Sequence, residues 1–117
     1  MTKNERACQI WAVLAWAARN RQIITYGLLG KLIGVPTAAI GAFLEPIQSY
    51  CLIKKLPPLT ILVVQQESGI PGGGFSGSSP GEYAREHMRV FEYDWLEHGN
   101  PQAEKLEEAV KAMPSKG

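Results

Sequence analysis

Few side chains in this sequence can do covalent or metal chemistry. Cys8 and Cys51 are its two cysteines, and His87 and His98 its two histidines. Neither cysteine belongs to a CxxC pair or lies near a histidine pair, and both are flanked by helix-like sequence. That context favours two small buried apolar side chains over a disulfide or a metal site. Glu82, Glu86, His87, Glu92, Asp94 and His98 cluster in the second half. A metal needs at least three convergent ligands, and this spacing matches no zinc pattern. Glu86 and His87 are neighbours on a helix and diverge by about 100°. The cluster reads as a solvated helix face. No nucleophile motif accompanies either histidine. "GIPGGGF" lacks the spacing of a phosphate cradle, and no Lys-Ser/Thr follows it, so it reads as a flexible turn. The expectation is a nonenzymatic chain without metal or cofactor.

Phosphate binding is the chemistry that remains. The net charge of +1 hides an asymmetry. Residues 1–56 carry seven Lys/Arg against two Asp/Glu, and residues 57–117 five against nine, so the halves are +5 and −4. A basic half suits a phosphate backbone. Arg19, Arg21, Lys31, Lys54 and Lys55 are the candidate contacts, helped by helix N-termini. In "FEYDW", Phe91, Tyr93 and Trp95 alternate. Such rings can stack on bases, but a clamp holding the tail onto the preceding domain is the preferred reading.

The elements that must position these residues come next. Length of 117 residues, 45% hydrophobic and 20% charged, fits one globular domain. No apolar run approaches a membrane span, and the start has no cleavable signal pattern, so a cytoplasmic location is expected. A first helix is predicted from about Lys3 to Asn20, with Ala7, Ile10, Trp11, Leu14, Ala17 and Ala18 on one face and Trp16 off it. Thr25 caps a second helix whose apolar face is Leu28, Leu29, Leu32 and Ile33, and Gly34 ends it. Pro36 and Thr37 open a third, buried through Ile40, Phe43, Leu44 and Ile47. Pro46 interrupts it or starts a fourth, continuing through Ile47, Tyr50 and Cys51. Leu59 to Val64 reads as a β-branched strand, "ESG" as a turn, and the segment from Ile70 as a weak return strand. "TILVV" is apolar enough for burial on both faces or for packing against the tail. Ser79 and Pro80 start a helix through Tyr83, His87, Val90 and Phe91, which "FEYDWL" closes or follows as a short extended segment. The last helix carries Leu106, Val110 and Met113, with Glu107 and Lys111 paired.

This order is helix, helix-turn-helix, hairpin, helical tail. The fold class expected is mainly α with a small β-hairpin: a winged helix-turn-helix over residues 1–75. Residues 76–117 form a Gly/Ser-rich loop and a helical C-terminal extension packed on the same domain.

The stretch "ITYGLLGKLIGVPTAAIGAFL" resembles the DNA-binding domain of alkylguanine-DNA alkyltransferases and of the nonenzymatic alkyltransferase-like proteins. Thr25, Tyr26 and Gly27 match that family's opening, and Ile33 and Gly34 its turn. Ile40, Gly41, Phe43 and Leu44 follow its recognition helix. The resemblance covers roughly Arg21 to Phe75 and implies a winged helix that binds DNA, with Thr25 and Tyr26 at the interface. The family's functional residues depart here. Its recognition-helix Arg, which fills the gap left by a flipped base, falls at Ala38. Its Pro-Cys-His-Arg site falls on "LPPLT", where Pro57 matches and Pro58, Leu59 and Thr60 replace Cys, His and Arg. Without an activated thiolate there is no alkyl transfer.

The function expected is a nonenzymatic winged-helix protein on double-stranded DNA, through Arg19, Arg21, Thr25, Tyr26, Lys31, Thr37, Ala38, Lys54 and Lys55. The bare reading helix implies low sequence specificity: Thr37 can touch a phosphate or a thymine methyl, and Ala38 and Ala39 can pack on methyls. The alternative is a protein-interaction module or homodimer without DNA binding, using Thr37, Ala38, Ala39 and Ala42. No membrane partner is expected.

Overall fold

A computed structural model describes residues 1–71 and 80–113. Helix α1 spans Lys3–Arg19. It starts on a capping box: Glu5 N–H donates to Thr2 Oγ1 at 3.1 Å, and Thr2 N–H donates to Glu5 Oε1 at 2.9 Å. Its buried face is Ala7, Ile10, Trp11, Leu14, Ala15 and Ala18, while Ala17 is half-buried and Trp16 is 63% exposed. The helix ends in a Schellman turn. Arg21 N–H donates to Ala18 O and Gln22 N–H to Ala17 O. Arg21 takes the left-handed position of that turn, at φ 54°.

Strand β1 (Ile24–Thr25) leads directly into α2 (Tyr26–Ile33). Thr25 Oγ1 accepts from Leu28 N–H at 3.1 Å, and Gly34 at φ 77° ends the helix, both as expected. The expected apolar face is only partly buried. Leu29 and Gly30 are inside and Ile33 is half-buried, but Leu28 and Leu32 are 50% and 59% exposed. A one-turn 3-10 helix, Thr37–Ala39, precedes α3 (Ile40–Ile53). Pro46 lies inside α3 rather than breaking it. The carbonyl that Pro46 cannot pair belongs to Ala42, which is solvent-exposed. A second Schellman turn closes α3, with Lys55 N–H donating to Leu52 O and Leu56 N–H to Cys51 O. Lys55 is again left-handed, at φ 57°.

Leu59–Val64 is not one strand. Leu59–Leu62 form a 3-10 turn, and only Val63–Val64 (β2) are extended. The cause is the partner. β1 is two residues long and its second, Thr25, is already the cap of α2, so β2 pairs with it in parallel over Ile24↔Val63 and Thr25↔Val64 and no further. The buried amides before Val63 need local acceptors, which a 3-10 turn supplies. Burial on all sides agrees with the sequence, since Leu59 to Val64 are all inside. Of the expected hairpin, the described residues show one antiparallel bridge, Val64↔Pro71, closed by Gln65 N–H to Ile70 O and Gly69 N–H to Gln65 O. The proposed Ser79 cap and most of the Gly-rich segment lie outside the described residues.

The rest of the chain is α4 (Tyr83–Glu92), α5 (Trp95–His98, capped by Asp94) and α6 (Ala103–Ala112). Helix α6 packs on α3 and α1, and α4 and α5 pack on α1. Val90, Trp95, Leu106 and Ala109 therefore join Trp11, Leu14, Ile47 and Leu62 in one core. Lys111 and Glu107 pair at 3.1 Å. Among the described residues no single helix is long and apolar enough to cross a membrane.

Candidate nucleic-acid interface

Helix directions decide where the nine candidate residues fall. Lys3 pairs with Glu45 at 3.2 Å, and the Trp11 ring meets Tyr50 edge-on at 5.4 Å. Advancing along α1 therefore advances along α3. Arg19 and Arg21 at the end of α1, and Lys54 and Lys55 at the end of α3, lie toward the same end of the helix pair. Helix α2 runs back the other way. Arg6, in the first turns of α1, donates to Ile33 O at 2.8 Å and closes the C-terminus of α2. Lys31 and the Thr37–Ala39 turn are thus near the start of α1. Arg19 is thirteen residues beyond Arg6, about 20 Å along the axis at 1.5 Å per residue.

Two groups result: Arg19, Arg21, Lys54 and Lys55 at one end, and Lys31, Thr37 and Ala38 toward the other. All seven are exposed. Thr25 and Tyr26 lie between them, half-buried. The Thr25 hydroxyl is engaged as the α2 cap, and Tyr26 packs against the core. The turn itself is tightly built. A Cβ on Gly30 would come within 2.8 Å of Val35 O, so only glycine lets α2 approach the loop there.

The cations differ in how they are neutralised. Arg89, Lys105 and Lys111 of the acidic half pair with Glu86, Glu108 and Glu107. Among the described residues, Arg19, Arg21, Lys31, Lys54 and Lys55 have no carboxylate within 4.0 Å. Arg19 has acidic company at longer range. It lines a cleft of about 160 Å³ with Glu92, Asp94, Tyr93 and Trp95, and these carboxylates weaken its field.

The "LPPLT" segment is packed away. Pro57, Leu59 and Thr60 are buried, and Pro58 is half-buried. Cys51 lies beside the backbone of Leu59, but burial pushes its thiol up to about 12. Cys8 Sγ donates to Pro101 O at 3.4 Å, and burial raises its thiol too. Neither is a thiolate near neutral pH.

Among the described residues no group of three His, Cys, Asp or Glu could hold a metal. Glu86, expected on a solvated face, is 7% exposed, and Arg89 Nη1 reaches its two oxygens at 2.9 and 2.7 Å. The aromatic run clamps the tail. Trp95 is buried, donates from Nε1 to Val90 O at 2.8 Å, and meets Trp11 edge-on at 5.6 Å. Phe91 stacks on His87. His98 ties α5 to α3, with Tyr50 Oη 3.1 Å from Nε2 and Tyr93 Oη 3.2 Å from Nδ1. Nothing in the spacing of Tyr50, Tyr93 and His98 signalled this link, because it joins residues 48 apart.

Comparison of the chain with protein-family models, with curated proteins and with solved structures finds no match.

Proposed function

We propose that this is a nonenzymatic DNA-binding protein of winged-helix type that holds the phosphate backbone of a duplex and reads little sequence. The observation that carries the reading is that, among the described residues, five exposed cations of the basic half, Arg19, Arg21, Lys31, Lys54 and Lys55, have no carboxylate partner. Two of them, Arg21 and Lys55, stand at left-handed positions that glycine ordinarily fills. The helix dipole favours a cation near a C-terminus, but Arg19 and Lys54 already meet that demand. A strained backbone retained at two solvent-facing cations points to a role for the charges themselves. The turn supports low specificity, since Thr37 and Ala38 offer no bidentate base contact.

A salt series on a generic duplex tests this. Each phosphate neutralised contributes about −0.9 to the slope of log affinity against log salt. The four-cation end engaged together gives a slope of roughly −3 to −4, and Lys31 alone roughly −1. Lys31→Glu weakens binding uniformly across sequences, and Ala38→Arg tightens it by adding a cation beside the turn. No gel shift at tens of micromolar protein and low salt, where nonspecific binders register, defeats the reading.

A protein-interaction module is the second reading. It is favoured by one observation, the exposure of Leu28 and Leu32 beside the bare Thr37–Ala39 turn. Leucine side chains have nothing to gain from a phosphate.

A further inference from the structure

At 100° per residue, α2 turns Leu29, Gly30 and Ile33 inward and Leu28, Lys31 and Leu32 outward. Leu28 and Leu32 stand one turn apart, and a ridge of leucines at i, i+4 is the shape that seats between the side chains of a second helix. The helix itself is one-sided in charge: Tyr26–Ile33 carries Lys31 and no Asp or Glu. Lys31 flanks the leucine pair, about 60° round the helix from Leu28 on the side away from Leu32, with no carboxylate within 4.0 Å among the described residues.

From shape and charge together, we infer that the outer face of α2 docks an amphipathic helix of a partner protein whose apolar stripe is flanked by Asp or Glu. The inference rests on the second reading above and does not require DNA binding. Three other occupants fit less well. An added strand has no edge to extend, because β1 is two residues long. A second copy seated face to face brings two Lys31 side chains to one interface and no carboxylate from either α2 to offset them. A lipid surface needs an apolar face far wider than two leucines.

The test uses the full chain and two labelled peptides of roughly 16 residues, long enough to form a helix. One has leucines at i, i+3, i+4 and i+7 flanked by glutamates. The other has each glutamate replaced by lysine. Fluorescence anisotropy should show the glutamate peptide binding saturably and the lysine peptide at least about tenfold more weakly. Leu28→Ser and Leu32→Ser should each weaken the glutamate peptide about tenfold, and Lys31→Glu should reverse the preference between the peptides. Circular dichroism checks that these surface variants remain folded, and their duplex binding should be unchanged for the two serine variants. Equal binding of both peptides overturns the acidic partner while leaving an interaction module in place. Binding of neither at about 1 mM overturns both. Leucine-dependent binding to phosphatidylserine vesicles in place of the peptide overturns the inference in favour of a membrane.

Discussion

Replacing Arg21 or Lys55 with glycine should make the protein more stable and, on the proposed DNA-binding reading, lower its affinity for a duplex. Both residues sit at the left-handed position of a Schellman turn, at φ 54° and 57°. A residue with a Cβ costs roughly 1–2 kcal/mol there. Glycine removes that cost but returns roughly 0.4–1 kcal/mol through the greater freedom of its unfolded chain. The net gain is about 0.5–1 kcal/mol per site. For a domain of this length that is a rise in Tm of about 2–4 °C. The two turns end different helices, so the double variant should gain about the sum. Each cation also gains from the helix dipole, and measuring in about 0.5 M salt, where the screening length is roughly 4 Å, suppresses that contribution. Thermal melts followed by circular dichroism read the stability. Salt titrations of duplex binding read the charge, and each variant should lower the slope by about 0.9. Arg21→Ala is the control: it removes the charge, keeps the Cβ, and should give no stability gain. A lower Tm for both glycine variants would refute the backbone argument. Equal gains from alanine and glycine would assign the effect to charge repulsion instead.

Cys51 should resist thiol reagents in the native protein at pH 8 and react only on unfolding, and an alkylated-guanine oligonucleotide should leave both cysteines unmodified by mass spectrometry. The same burial makes stability depend on pH. The folded thiol, pushed up to about 12, holds its proton above the unfolded value of about 8.5. Its contribution is full below about pH 8.5 and is lost as pH rises toward 12, at up to about 1.4 kcal/mol per pH unit. Urea melts of Cys51→Ala against the parent should show that slope disappear, and parallel curves would refute it. Gly30→Ala should destabilise by about 1–3 kcal/mol, because its Cβ meets Val35 O at 2.8 Å. Gly27→Ala, three residues earlier on the same helix, meets only Thr37 Oγ1 at 3.9 Å and should instead gain about 0.5–1 kcal/mol of helix propensity. Denaturant melts of the pair should differ in sign.

Local signals were legible. Thr25 and Gly34 mark the two ends of α2 as their chemistry dictates, and the stripe from Ala7 to Ala18 names the buried face of α1. What failed is informative. Helix α2 is eight residues long and apolar almost all round, so the sequence holds no period from which to choose a buried side, and of its apolar face Leu29 lies inside while Leu28 and Leu32 lie outside. Leu59 to Leu62 has the composition of a strand but no partner to pair with, and pairing depends on how much backbone β1 can offer. Pro46 reads as an interruption of the third helix or the start of a fourth, yet α3 runs through it, and Ala42, the residue whose carbonyl it leaves unpaired, is exposed. For the interface, residue types were legible and grouping was not. Arg19 and Lys31 are close in the sequence, and only the reversal between α1 and α2 carries them to different ends.

The core that Trp11 anchors is completed late. Val90, Trp95, Leu106 and Ala109 are needed to cover it, and α6 is what lies across α1 and α3. During synthesis α1 to α3 are made first, and the cover over Trp11 is complete only when residues 90–109 have emerged. At about 5–20 residues per second, the roughly 50 residues after Leu62 take about 3–10 s to make. Throughout that interval the nascent chain exposes apolar surface, which makes it a substrate for chaperones. The first three helices are therefore not an exchangeable cassette: cut at residue 75 and grafted onto another protein, they would carry an open core with them.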